Sequence, residues 1–253
     1  MKRLIVNLLA LIAVVVVNTL ANTLPINGLT TGDISNRLNV LFTPAGYVFS
    51  IWSVIYFLLL VWILRGGLRT QQDRGVYRNT STLFVISSLL NITWIFMWHY
   101  ELFAVSVAVM LGLLTSVIMI YVVIKRNNPT FFDRLPFSVY MGWVSVATIA
   151  NIAYTLNHHE WNGFGLSSVF WTILLLLVAT ALALHVRYHE HDWVYPLVFI
   201  WAFIGIGVRN EGEASAVVFT AYVLSAVITV GIFLLRKKDH SKIGFGSKKL
   251  KFK

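Results

Sequence analysis

The sequence predicts an all-α, polytopic transmembrane bundle of about eight helices. Three observations carry this. The chain is 58% hydrophobic and only 12% charged over 253 residues. Eight apolar runs approach or reach the length needed to cross ~30 Å of hydrocarbon. The basic residues collect in alternate connections between those runs. The runs are continuously apolar rather than alternating, so helices and not barrel strands satisfy the backbone in lipid. Cysteine is absent, which removes disulfides, thiolate nucleophiles, iron–sulfur clusters and cysteine zinc sites and leaves the redox compartment open.

In chain order the expected spans are Leu4 to Leu24, Tyr47 to Leu64, Leu83 to Trp98, Leu102 to Ile124, Phe137 to Leu156, Phe164 to Val186, Trp193 to Val208 and Ala214 to Leu235. Met1-Lys2-Arg3 ahead of an apolar run also suits a signal peptide. However, Thr19-Leu20-Ala21 is a poor cleavage site and the run continues to Leu24, so a retained first helix is expected. The third and seventh runs are short, and Trp98, His99, Trp193 and Tyr195 would complete them at headgroup level or flank re-entrant segments. Trp62, Trp161, Trp171 and Trp193, near span ends, are expected as interface anchors.

Charge sets the orientation. Lys2 and Arg3, then Arg65, Arg69, Arg74 and Arg78, then Lys125, Arg126 and Arg134, then Arg187, and finally the tail from Arg236 to Lys253 place eighteen of twenty basic residues on one side. Only Arg37 and Arg209 fall on the other. The positive-inside rule then puts both termini in the cytoplasm, which an even number of crossings requires. The expected location is an integral protein of the cell (cytoplasmic) membrane. The net charge of +10 is mostly this topology signal, and no nucleic-acid module accompanies it. The tail, residues 236–253, reads as a basic disordered segment able to lie on anionic headgroups.

All ten acidic residues fall in loops or at helix ends, so no mid-membrane carboxylate marks a proton-coupled pump or cation transporter. His185 and His189 are four apart with His191 and Asp192 close by, a ligand-compatible spacing that also fits an interfacial polar cluster. His158 and His159 are a second candidate, for haem ligation. No metal site is expected, and Ser–His–Asp, P-loop and zinc-protease motifs do not occur.

Three ordered segments carry a family resemblance: Phe42-Thr43-Pro44-Ala45-Gly46-Tyr47-Val48-Phe49-Ser50-Ile51-Trp52-Ser53-Val54-Ile55-Tyr56, then Leu90-Asn91-Ile92-Thr93-Trp94, then Pro136 through Trp143 and Asn151 to Asn157. They resemble the TspO family, the tryptophan-rich sensory proteins related to the mitochondrial translocator protein. The pattern differs at Ala45, where the family has a second proline, and at Ser50-Ile51, where it has Gly-Pro. It covers residues 1–157 as a five-helix core. Residues 158–235 would then be a three-helix extension, ahead of the tail.

The resemblance implies a pocket near the loop between the first two spans that takes porphyrin, haem or sterol-like ligands. Trp52 and Trp143 match pocket tryptophans, Trp94, Asn91 and Asn151 match lining or supporting residues, and Pro44, Gly46 and Tyr56 complete the set. An indole face offers a flat conjugated ring a large contact, and an N–H or carboxamide can meet its polar edge. Core packing for the tryptophans and interhelical hydrogen bonding for the asparagines explain the same residues without a ligand. A looser sterol-contact pattern, Val117 with Tyr121 and Lys125, ends the fourth span. No resident cofactor is required, with porphyrin or haem as candidate ligand. The expected partners are membrane lipids and that tetrapyrrole or sterol-like molecule, with a homo-oligomer left open. A sensory or regulatory role is preferred to turnover, although the family resemblance keeps light-dependent porphyrin breakdown in view. The alternative is a membrane carrier or scaffold for another lipid-like molecule.

Overall fold

The computed structural model describes residues 2–24 and 26–235; the tail assigned above to residues 236–253 lies outside them. Among the described residues the chain forms ten α-helices. They are α1 (Lys2–Thr23), α2 (Thr31–Arg37), α3 (Ile51–Gly66), α4 (Gly75–Arg78), α5 (Ser81–His99), α6 (Phe103–Lys125), α7 (Phe131–His158), α8 (Ser168–Glu190), α9 (Val194–Arg209) and α10 (Ser215–Leu234). A 3₁₀ turn, Gly46–Ser50, leads into α3 and extends it to a 21-residue apolar span. Among the described residues seven spans are long and apolar enough to cross a membrane. Their outward faces are apolar: Leu9 of α1, Phe219 and Phe233 of α10 and Leu177 of α8 are exposed, as expected where lipid and not water is the solvent.

The third run is a full span after all. α5 includes Ser81 and His99 and reaches 19 residues. The seventh, α9, is apolar but has 16 residues, or about 24 Å of helix. Its ends nevertheless meet opposite faces of the bundle. Asp192, just before α9, accepts from the Tyr121 hydroxyl at the basic end of α6 (2.9 Å), and Asn210, just after it, donates to Leu41 O beside α2 (2.9 Å).

α7 begins six residues earlier than the expected Phe137 and contains Pro136. The Thr130 N–H and hydroxyl both donate to Asp133 Oδ2 at 2.8 Å, and this capping box nucleates the helix ahead of the proline. The resulting 28-residue helix is the axis of the fold, buried over most of its length. One side of α7 packs on α3 and α6 and the other on α9. Trp62 corrects another expectation. It is 1% exposed among Tyr77, Phe84 and Phe137 and is a core residue, not an interface anchor. Trp161 and Trp193 remain 37% and 45% exposed at helix ends, as an anchor should.

The basic face is tied by two buried carboxylates. Asp133 receives the Tyr77 hydroxyl at 2.7 Å and Arg74 Nη2 at 2.8 Å, with Arg65 Nε at 3.6 Å. Asp192 receives Tyr121, Ser138 and the backbone N–H groups of Val194 and Tyr195, which caps α9. Val117 and Tyr121, two of the three residues of the loose sterol-contact pattern, are buried in protein, and Lys125 pairs with Glu190.

Candidate ligand-binding cavity

A cavity of about 660 Å³ opens at the end of the bundle opposite the basic face, a volume typical of small-molecule sites. Its walls come from α1, α2, the 3₁₀ turn, α3, α5 and α7. Pro44 precedes the turn and Gly46 begins it, and both line the cavity. From there Trp52 and Tyr56 stand one helical turn apart on α3 with their rings stacked 5.6 Å apart. Trp143 of α7 meets Trp52 edge-on at 6.2 Å and Phe49 edge-on at 5.7 Å. Across the space Trp94 and Trp98 of α5 stack at 5.6 Å. Four of the nine tryptophans thus face one cavity.

Seven of the eight residues singled out in the sequence line this cavity: Pro44, Gly46, Trp52, Tyr56, Trp94, Trp143 and Asn151. Asn91 lies behind the wall. Its Oδ1 accepts from Asn18 Nδ2 at 2.9 Å and its own amide donates weakly to the Tyr140 hydroxyl at 3.4 Å, so it supports Asn18, which does line the space. Asn151 accepts the Trp94 indole N–H at 2.7 Å and exchanges hydrogen bonds with Ser106. This fixes the orientation of Trp94. The indole N–H groups of Trp98 and Trp143 are buried and have no partner among the described residues. Buried donors are rarely left so without reason.

The roof was not anticipated. α2 lies across the cavity and contributes Thr31, Gly32, Ser35 and Asn36, while α1 contributes Asn18, Thr19, Asn22 and Thr23. Thr30 and Asp33 start α2 as a capping box, a Thr-x-x-Asp signal visible in the sequence. Asn18 and Asn22, four apart in an apolar run, also marked a polar helix face. His99, 1% exposed, holds the roof down. Its Nδ1 faces Ile26 O at 3.2 Å, a pure acceptor, so Nδ1 carries a proton, and its Nε2 lies 2.9 Å from the Thr31 hydroxyl in hydrogen-bond contact. The Tyr154 hydroxyl donates to Ile34 O at 2.8 Å, and Arg37 pairs with Glu101 at 2.7 Å.

Arg37 beside Glu101 holds that carboxyl below its ordinary value, and hydrogen bonds from the Thr30 side chain and backbone do the same for Asp33. Both groups therefore favour the closed roof when ionised, fully so above the unperturbed carboxylate range, and release it as pH falls through their lowered values. The protection of the backbone amides of residues 31–37, their exchange relative to an unfolded chain at the same pH, should fall below pH 4.5, the unperturbed value for Glu101, and Glu101→Gln should show the lower protection already at neutral pH. Equal exchange in wild type and Glu101→Gln would remove the ion pair from the roof's closure.

The other candidates stand apart. His158 packs edge-on to Phe103 at 4.6 Å and neither it nor His159 lines the cavity. The rings of His185 and His189 lie 4.4 Å apart, both exposed on α8, and no cluster of three His, Cys, Asp or Glu able to hold a metal occurs among the described residues.

The family model described as TSPO-like protein matches residues 4–234, nearly the whole chain. The chain belongs to the TspO family. The match runs through α8, α9 and α10 as well as the first five spans. The chain matches no curated protein and no solved structure. The TspO-family segments quoted from the sequence build the cavity's aromatic wall. What they leave out, α2 and the polar face of α1, forms its roof and side.

Proposed function

We propose that this TspO-family protein binds a planar apolar ligand, of tetrapyrrole or sterol-like class, in the cavity under α2, and that binding serves a sensory or regulatory role. The observation that carries the reading is the set of four tryptophans around one cavity, two of them with unpartnered N–H groups. Flat rings gain large contact area and edge or face stacking from such walls, and each free N–H can meet a ligand acceptor. Among the described residues no His, Cys or Met lines the cavity, and Tyr56 and Tyr154 are its only side chains of a type that ligates haem iron. In the proposed orientation the basic face and both termini are cytoplasmic and α2 lies on the far side.

Quenching of tryptophan fluorescence by protoporphyrin in nanodiscs tests the proposal. Wild type should quench saturably. Trp143→Phe, which keeps a ring and loses the N–H, should weaken binding about three- to tenfold if one hydrogen bond worth ~1 kcal/mol is lost, and Trp52→Phe should weaken it through lost contact area. Binding indifferent to both substitutions would detach the cavity from the function. The competing reading is a carrier. It is favoured by the exposure of the lining residues Thr19 and Ser53 on α1 and α3, which leaves the cavity open sideways. Saturable flux of porphyrin across proteoliposomes would select it.

A further inference from the structure

The cavity wall is mainly apolar with a set of polar side chains among it, and none of its lining side chains is charged. Asn18, Asn22, Thr31, Ser35 and Asn36 supply amides and hydroxyls, and the tryptophans supply N–H donors. Lysine, arginine, histidine and carboxylate are all missing from the wall among the described residues. A charged group brought into such a space would give up its hydration for neutral dipoles, which is unfavourable unless a counter-ion meets it.

The rim offers an anion few cations. On this face stand Arg37 and Arg209 against Asp33, Glu101, Glu160, Glu211 and Glu213. Arg37 is already held by Glu101, and Arg209 Nη1 donates to the Asn36 side chain at 2.5 Å. Asp33 sits next to Gly32, a lining residue, with its carboxylate fixed by Thr30. An approaching carboxylate therefore meets a face of net negative charge. The opening has the same bias. Of its exposed lining residues, Gly32 and Asn36 lie on α2, whereas Thr19 and Asn22 on α1 and Ser53 on α3 stand beside the exposed, apolar Val16, Leu20, Val54 and Phe57. The α1–α3 side is thus the route open to a solute dissolved in the bilayer.

We infer that the site selects uncharged planar ligands dissolved in the membrane and discriminates against the same ring carrying ionised carboxylates. This rests on the binding function proposed above and names its chemical class. The polar atoms of the wall then serve neutral acceptors and donors at the ring's edge. The rim, with five carboxylates against two arginines, works against anionic substituents.

Protoporphyrin and its dimethyl ester share a ring and differ in this charge. Their affinities are compared in nanodiscs of zwitterionic lipid at neutral pH, for wild type, Asn22→Lys and Asn22→Gln. Asn22 is exposed and bonds only locally, to Asn18 O, so both variants should fold. The diester is expected to bind wild type at least tenfold tighter than the diacid. Asn22→Lys, which places a cation on the wall, should shift the ratio at least tenfold toward the diacid, and Asn22→Gln, neutral like the wild type, should not shift it in that direction. A diacid that binds wild type as tightly as the diester overturns the inference. So does a ratio unmoved by Asn22→Lys, because partition into lipid would then explain the preference. Binding of neither porphyrin would overturn the cavity's assigned function and this selectivity with it, an outcome distinct from binding without preference.

Discussion

Asp133→Ala should lower stability by about 2–4 kcal/mol, the largest effect expected of any single substitution on the basic face. The carboxylate is fully buried and joins three pieces of chain: the end of α3 through Arg65, the α3–α5 connection through Arg74 and Tyr77, and its own helix start through Thr130. Alanine removes the capping box that begins α7 ahead of Pro136 and leaves the Tyr77 hydroxyl without its acceptor. Burial pushes the Tyr77 phenol upward, and donation to Asp133 adds to that, so the hydroxyl stays protonated and in need of a partner. The two arginines are 29% and 27% exposed and can turn to water, which keeps the loss below that of a fully buried ion pair. Thermal unfolding in detergent should show the apparent Tm falling by several degrees. Asp133→Asn, which keeps an acceptor for Tyr77, should recover part of it. An alanine variant that melts with wild type would show that the three segments hold together without this carboxylate.

Gly205→Leu should weaken ligand binding more than tenfold although residue 205 does not line the cavity. A β-carbon at Gly205 would collide with Val48 and stand 3.3 Å from Pro44. Both belong to the segment that carries the cavity wall, and the same segment is bonded to α9 by Ala45 N–H to Gly205 O at 3.0 Å and by Trp201 Nε1 to Val48 O at 3.1 Å. Leucine must push the 3₁₀ turn off α9, a strain of about 1–3 kcal/mol, and the displaced turn moves Pro44, Gly46 and Trp52 together. Gly205→Ala should show a smaller loss in the same direction. Porphyrin titration alongside melting separates the two effects. Wild-type affinity in a destabilised Gly205→Leu protein would show that α9 braces the fold without shaping the site.

How much of this was legible in the sequence depended on the range of the signal. Spans and their alternation were readable because lipid imposes length and apolarity on each segment independently. Trp52 and Tyr56 were readable as neighbours because four residues make one helical turn. That Trp52, Trp143, Trp94 and Asn151 share one pocket was carried by family resemblance, since no local pattern relates residues on different helices; the bond from Trp94 to Asn151 was not anticipated. α2 escaped notice because seven residues give too short a window for periodicity, and its capping box was the one local mark. Trp62 was misplaced for a related reason: nearness to a span end suits an anchor, but α4 folds back over that end and encloses it with Tyr77. The start of α7 was misjudged because Pro136 outweighed the capping box six residues before it.

The two sides of α7 have a consequence for how far this chain can be shortened. A protein ending at His158 would retain every cavity-lining residue. It would also turn the face of α7 that meets α9 toward lipid, with Gly142 uncovered and the hydroxyl of Ser145 deprived of Tyr195. Ser138 and Tyr121 would lose Asp192 as their acceptor, and the Pro44–Val48 segment would lose its backing. Hydrocarbon replaces none of those hydrogen bonds. Truncation would thus preserve the inventory of the site while removing the scaffold against which its first wall is set.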